Sequence, residues 1–217
     1  EINKPSSVIL NGGNKDLFIS DKNYEWDFKS PLKIVTHHWG GNHMKGFDVY
    51  EKLDKYLSDI NFRKKFNFTY IGNLPKNFRF INTKHINPLS GKELADELSK
   101  HHIYLTASIN EPAGMHHIEG ALSGLPLVFR KSGALPEYCS NYGIEFMNDN
   151  FLPALEKISY QYPELKKRLS KYPHTSDKMA SEYINLFEKI LENRSNYLNN
   201  RKLFRNPLKL FLNILFM

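Results

Sequence analysis

The sequence predicts a doubly wound α/β fold: a Rossmann-like parallel sheet of about six strands, followed by additional C-terminal helices. From Leu32 onward, short apolar runs alternate with longer stretches of helical period, the pattern of strand-helix units wrapped around a parallel sheet. With 217 residues and 41% hydrophobic content, the chain suits one well-buried domain with appended elements.

Strands are expected at 33–36, 67–71, 84–86, 103–106, 127–129 and 143–146, each a short run bounded by polar or turn-forming residues. Helices are expected between them, at 47–58, 91–100, 115–123 and 150–161, with a longer one from 176 to about 194. In the first helix Val49, Leu53, Tyr56 and Leu57 fall at three- and four-residue spacing, which predicts one buried stripe. Ser176, followed by Asp177, is the expected N-cap of the last helix.

The domain reading is a hinge or linker at 1–20, a ligand-binding domain at 21–175, and a C-terminal helix with a basic and apolar tail at 176–217. The chain starts at Glu1 rather than Met, and Pro5 to Asn11 reads as a connecting segment, so it is expected to be a piece of a longer protein. The tail from Asn206 combines Leu208, Leu210, Phe211, Leu212, Ile214, Leu215 and Phe216 with Lys209 and upstream arginines. It suits either packing on a neighbouring domain or peripheral contact with an anionic membrane.

Bulk charge excludes less than its position does. The net charge is +7, but no acid follows Glu192, whereas Arg194, Arg201, Lys202, Arg205 and Lys209 all do. The first 192 residues therefore carry only +2, and their aromatic residues are not interleaved with a basic stripe, so no nucleic-acid partner is expected. The single Cys139 allows no internal disulfide and fits a cytoplasmic location. The absence of a run of about 18 apolar residues argues against a bilayer span, leaving only peripheral attachment at the inner face of a membrane.

The most informative stretch begins at Ile103, where an apolar strand ends near Thr106 and a loop containing Pro112 and Gly114 leads into a helix. In a doubly wound sheet such a loop lies at the carboxyl edge, where ligands bind. The amides of Gly114, Met115 and His116 would face a ligand at the helix N-terminus, and Gly114 would let it approach the backbone. Glu111 precedes the helix and Glu119 lies about one turn inside it, so both carboxylates can reach one cleft.

The string Glu111-Pro112-Ala113-Gly114-Met115-His116-His117-Ile118-Glu119, then Gly120 to Pro126, resembles the E-x(7)-E signature of family 4 glycosyltransferases. Ala113 replaces the usual Phe, and Gly120 intervenes before Ala121. Other segments resemble the family in the same order. VILNGGNKDLF from Val8 is similar to its interdomain hinge, and the stretch from Leu32 to Asp48 to its first strand and Lys-Gly loop. FTYIGNLP from Phe68 is similar to a strand end, and SGALPEY from Ser132 to its Gly-Gly-x-Pro-Glu turn. The resemblance covers roughly residues 8–146.

The resemblance implies the C-terminal, donor-binding half of a GT-B fold, which works with a missing N-terminal domain. It implies retaining transfer of a hexosyl or other glycosyl group from a nucleotide-diphosphate sugar to a glycan or lipid-linked acceptor, as in cell-surface polysaccharide synthesis. No cofactor or metal is implied. Glu111 and Lys45 take the catalytic roles: Glu111 contacts the donor sugar and Lys45 neutralises the leaving diphosphate. Glu119 binds ribose hydroxyls, with Gly114, Met115 and His116 lining the sugar and phosphate site. The base is expected against Gly72 and the strand end at Ile86. The family's arginine near the lysine is missing here, which leaves Arg130, Lys131 or a protonated His38 as the expected second cation.

Other chemistries fit less well. Histidine doublets occur at 37–38, 101–102 and 116–117, but neighbours on a strand point to opposite faces and no His-Glu-x-x-His pattern is present. WGGNHMKG has neither P-loop nor dinucleotide spacing, and no nucleophile elbow occurs. A sugar-nucleotide epimerase of the same fold, or a non-catalytic domain that binds a nucleotide sugar or a protein, remains the alternative reading.

Overall fold

The computed structural model of the protein describes residues 6–19 and 24–199. Six strands, β1 (Leu32–His38), β2 (Phe66–Gly72), β3 (Lys84–Ile86), β4 (Ile103–Thr106), β5 (Leu127–Arg130) and β6 (Gly143–Phe146), form one sheet in the order β3-β2-β1-β4-β5-β6. Every pairing is parallel. The chain builds outward from β1 through β2 to β3, then crosses back to lay β4 on the other side of β1. That reversal opens a crevice at the carboxyl ends of β1 and β4, the usual ligand position in such sheets.

The helices are α1 (Phe47–Tyr56), α2 (Ile60–Arg63), α3 (Gly91–Leu98), α4 (His116–Leu122), α5 (Leu135–Cys139), α6 (Leu152–Leu169), α7 (Ser176–Glu192) and α8 (Arg194–Asn199). Side chains alternate across each strand, so the sheet has two cores. Leu32, Ile34, Phe68 and Leu105 pack with Val49 and Leu53 of α1 and Leu155 and Ile158 of α6. Val35, Ile71, Leu127 and Phe129 face the other way, onto Leu98 of α3, Ile118 of α4 and Leu135 of α5. Each such fully buried side chain contributes about 1.5–3 kcal/mol, which is why the sheet carries helices on both faces.

All six expected strands occur, and β1 and β2 each extend one residue earlier and one or two residues later than periodicity predicts. Three helical expectations need correction. In α1, Phe47 and Tyr50 are buried beside Val49, Leu53 and the following Leu57, whereas Tyr56 is exposed. The helix expected at 150–161 runs to Leu169 through Pro163, because Tyr162, Leu165 and Leu169 are buried on its inner face and their packing outweighs an interior proline's cost of about 3 kcal/mol. Ser176 is the first residue of α7 rather than its cap; the Thr175 hydroxyl instead accepts the Lys178 N–H at 3.2 Å.

The chain divides into two compact units, Leu10–Met179 and a second made from residues up to 9 with those from 180 onward. The second unit, where described, presents Ile184, Phe187 and Leu191 to solvent. The apolar tail from Asn206 lies outside the described residues. None of the described helices is long and apolar enough to cross a membrane. Cys139 is buried in the second core, and burial pushes its thiol pKa well up.

Candidate functional site at the sheet's reversal

A cleft of about 350 Å³ lies at the β1–β4 reversal, lined on one side by His37, His38, Trp39 and Lys45 and on another by Gly114, Met115, His116 and Glu119. Its apolar wall, Ile71, Pro88, Leu89 and Leu94, comes from the end of β2, from the segment joining β3 to α3 and from α3 itself.

Lys45 ends a short 3-10 helix, His43–Lys45, and is followed by Gly46 at φ 98°. A Cβ on Gly46 would meet Ala107 Cβ at 2.4 Å and its backbone at 2.6 Å, so the Lys-Gly pair is dictated by a close backbone crossing. The Ile109 N–H donates to the Met44 carbonyl at 2.8 Å, tying this loop to the one after β4. The Lys45 ammonium thereby reaches the Glu111 carboxylate at 2.9 Å.

Glu111 is held by its backbone as well. Asn110 precedes it with φ 52°, a left-handed conformation that asparagine tolerates. The Ala134 N–H donates to the Glu111 carbonyl at 2.8 Å, and the Ser132 hydroxyl accepts the Asn110 N–H at 2.8 Å. A Cβ on Gly133, itself at φ 56°, would lie 2.3 Å from the Glu111 carbonyl oxygen. The Ser132-Gly133 turn therefore wraps the Glu111 backbone and fixes where its side chain starts. That side chain is only 7% exposed and reaches the cleft through Lys45 rather than lining it.

On the other carboxylate, Glu119 Oε2 accepts a hydrogen bond from His37 Nε2 at 2.7 Å. The His37 Nδ1 lies 3.1 Å from the Tyr104 hydroxyl, which also accepts the His37 N–H at 3.0 Å. A second network is largely buried at the cleft wall: His38 Nε2 contacts the Tyr50 hydroxyl at 2.9 Å, and His116 Nε2 contacts the Thr106 hydroxyl at 2.8 Å. Gly114 lies between His116 and Glu111, where a Cβ would approach the His116 ring at 2.7 Å and the Glu111 carboxyl carbon at 2.8 Å.

The expected second cation is not found in the cleft. Burial, with the nearby charges of His37 and Lys45, holds His38 well below the ordinary imidazole pKa, so it is neutral and not the protonated group anticipated. Arg130 donates to Asp48 at 2.6 Å and stands 5.9 Å over the Phe146 ring, while Lys131 pairs with Glu145 at 3.3 Å. Neither lines the cleft. Gly72 and Ile86 also stand outside its lining. Gly72, at φ 139°, is closed in by the His38 carbonyl, 1.9 Å from where a Cβ would sit, and its own carbonyl accepts from His85 at 2.8 Å.

Sequence reasoning missed Trp39 and the wall from Pro88 to Leu94. Trp39 is 73% exposed, a large apolar surface at the cleft mouth whose placement follows from β1 ending there. The wall had no local signal, since Pro88 and Leu89 sit in an irregular connection between β3 and α3, which has no period to read. Among the described residues, no group of three or more His, Cys, Asp or Glu is placed to hold a metal ion. The cleft therefore offers one ammonium, one accessible carboxylate, an apolar wall and an exposed indole, a set suited to an anionic ligand bearing hydroxyls and a flat ring.

The single six-stranded parallel sheet with flanking helices is the Rossmann-like fold found in GT-B glycosyltransferases. The glycosyltransferase from Rickettsia africae ESF-5 superposes with a TM-score of 0.64 at 15% identity, over 86% of this chain and 57% of that one. Sucrose-phosphate synthase from Thermosynechococcus elongatus gives 0.61 at 17% identity, over 85% of this chain and 52% of its own. The C-terminal domain of a group 1 glycosyl transferase family protein from Francisella tularensis gives 0.54 at 16% identity, over 79% of this chain and 98% of that domain. The chain thus spans about half the length of the first two. No protein-family model and no curated protein matches it.

Proposed function

We propose that the chain is the C-terminal, donor-binding half of a two-domain family 4 glycosyltransferase, which transfers a glycosyl group from a nucleotide-diphosphate sugar to a glycan or lipid-linked acceptor. The observation that supports this best is the pairing of Lys45 with Glu111 beside Glu119, at the reversal of a GT-B-like sheet. An ammonium has three donors, so Lys45 can keep its bond to Glu111 while facing a diphosphate. Cleavage of the sugar-phosphate bond leaves negative charge on the phosphate, and a fixed cation there lowers the barrier. Glu119 has one oxygen engaged by His37 and one left to accept from ribose hydroxyls. The amides of Gly114, Met115 and His116 line the phosphate and sugar.

In this reading the acceptor is held by an N-terminal domain, transfer proceeds with retention and without metal or cofactor, and the enzyme works in the cytoplasm. Peripheral membrane contact falls to the tail. Calorimetric titration with UDP-, GDP- and ADP-sugars tests the proposal. One sugar nucleotide should bind, and Lys45→Ala and Glu119→Gln should each weaken it by roughly ten-fold or more, as expected for loss of a charge-assisted contact. No binding to any of them would sink the reading, and conversion of the sugar while it stays attached to its nucleotide would replace it with an epimerase.

A further inference from the structure

At the opposite, amino-terminal edge of the sheet a separate cavity of about 420 Å³ gathers cations that lie far apart in sequence. Lys33 stands at the start of β1, Arg63 at the end of α2, Lys84 at the start of β3 and Lys100 just after α3. One carboxylate answers them: Glu97 takes Lys84 at 3.1 Å on one oxygen and Lys100 at 2.6 Å on the other. Among the described residues, Lys33 and Arg63 have no carboxylate within 4.0 Å. The floor is closed by Phe68, Thr69 and His101, whose ring bonds Thr69 Oγ1 at 3.0 Å and the Glu97 carbonyl at 2.9 Å.

Four cations around one carboxylate leave an excess of three positive charges in a concavity, within a chain whose first 192 residues carry only +2. Like charges held this way repel one another; all four side chains are exposed, Lys84 and Lys100 by more than half, so water moderates the repulsion and leaves the ammonium and guanidinium groups open to a ligand. Burial together with the fields of Lys84 and Lys33 pushes His101 down to about 4, so the floor adds no further charge near neutrality. A monocarboxylate would offset only a third of the excess. A phosphomonoester or diphosphate carries two or more negative charges and accepts from an Arg fork and several ammonium groups at once.

We propose that this cavity is a second anion site, distinct from the cleft at the other end of the strands, and that it binds a phosphomonoester or diphosphate group through Lys33, Arg63, Lys84 and Lys100. The group belongs either to a free small molecule or to an anionic lipid headgroup. Arg63 and Lys33 supply uncommitted donors, while Glu97 competes with the ligand for Lys84 and Lys100.

The test uses the full chain labelled with 15N and titrated with sodium pyrophosphate at constant ionic strength, sodium chloride serving as control. Saturable shifts are expected at the amides of Asn67, Thr69 and Lys84. Lys33→Ala and Arg63→Ala should each weaken them by roughly ten-fold; among the described residues neither side chain has an ion-pair partner to lose. Glu97→Gln should tighten binding, because it releases two lysines. Flotation with vesicles containing phosphatidic acid, whose headgroup is a phosphomonoester, against vesicles of phosphatidylcholine alone separates the sources: capture by the former, lost in the same two alanine variants, assigns a lipid headgroup, and pyrophosphate binding without capture assigns a soluble ligand. Shifts that chloride reproduces, that survive both alanine substitutions, or that occur only at Gly114 and Met115 would overturn the proposal, as would failure in both arms. The site is independent of the donor cleft, so loss of one reading leaves the other standing.

Discussion

Gly114 shows how closely the cleft is built around small groups. It lies between the His116 ring and the Glu111 carboxyl, each within 2.8 Å of where a Cβ would sit. Both neighbours are buried and hydrogen-bonded, so neither yields freely. Gly114→Ala should leave the fold intact and reduce affinity for the sugar nucleotide by roughly ten-fold, because a displacement of Glu111 carries Lys45 with it. Calorimetry beside circular dichroism checks this, and unchanged affinity would show that the two side chains can give way. That Glu111, Gly114 and Glu119 stand together at the loop after β4 was legible because their spacing is local, whereas Lys45 was suggested by the family resemblance alone. That Glu111 would be buried behind Lys45 was not legible, since the contact spans 66 positions.

Between elements, the Tyr50 hydroxyl joins α1 to β1 and to the residue that follows β4. It accepts the Ala107 N–H at 3.2 Å and lies 3.2 Å from the Thr36 hydroxyl and 2.9 Å from His38 Nε2. All of these groups are buried, and burial raises the Tyr50 pKa, so the hydroxyl stays protonated. Tyr50→Phe keeps the ring in the core but strands its partners. The expected loss is about 1–3 kcal/mol, seen as a lower urea midpoint with an unchanged slope; a stability equal to the parent's would mean that the partners re-pair among themselves. A helical stripe predicts that one face of α1 is buried, but it says nothing about which hydroxyl will meet which strand. The same limit accounts for the short elements: three to six residues at His43–Lys45, α2, α5 and α8 are too few for a period to show.

Across the whole molecule, five buried histidines make stability depend on acid. Burial is the leading cause in each: His101 and His102 fall to about 4, His117 to about 3, and His38 and His116 lie well below 6.5. Between pH 6.5 and 4 the unfolded chain therefore binds more protons than the folded one, so stability falls as pH falls through that window and is fully present above it. Unfolding near pH 5.5 should take up about four protons through these groups. Thermal melts from pH 7.5 to 5 check this, and a melting temperature that stays flat down to pH 5.5 would contradict the burial of these rings. Net charge is the other property of this scale. Along the chain its excess collects after Glu192, whereas in space Lys33, Arg63, Lys84 and Lys100 make a second concentration.

Apolar periodicity, which follows from local backbone geometry, was enough to place all six strands and to identify the edge of the sheet that carries the loop from Glu111 to Glu119. Gly114 could likewise be read as a position of close approach. The partners of the site residues depend on crossovers that bring distant segments together: Lys45 to Glu111, and His37 to Glu119 across 82 positions. The same holds for the neutral state of His38 and the diversion of Arg130 to Asp48. Burial and charge pairing are sums over neighbours in space, and a chain read in order has no access to that sum until its crossovers are known.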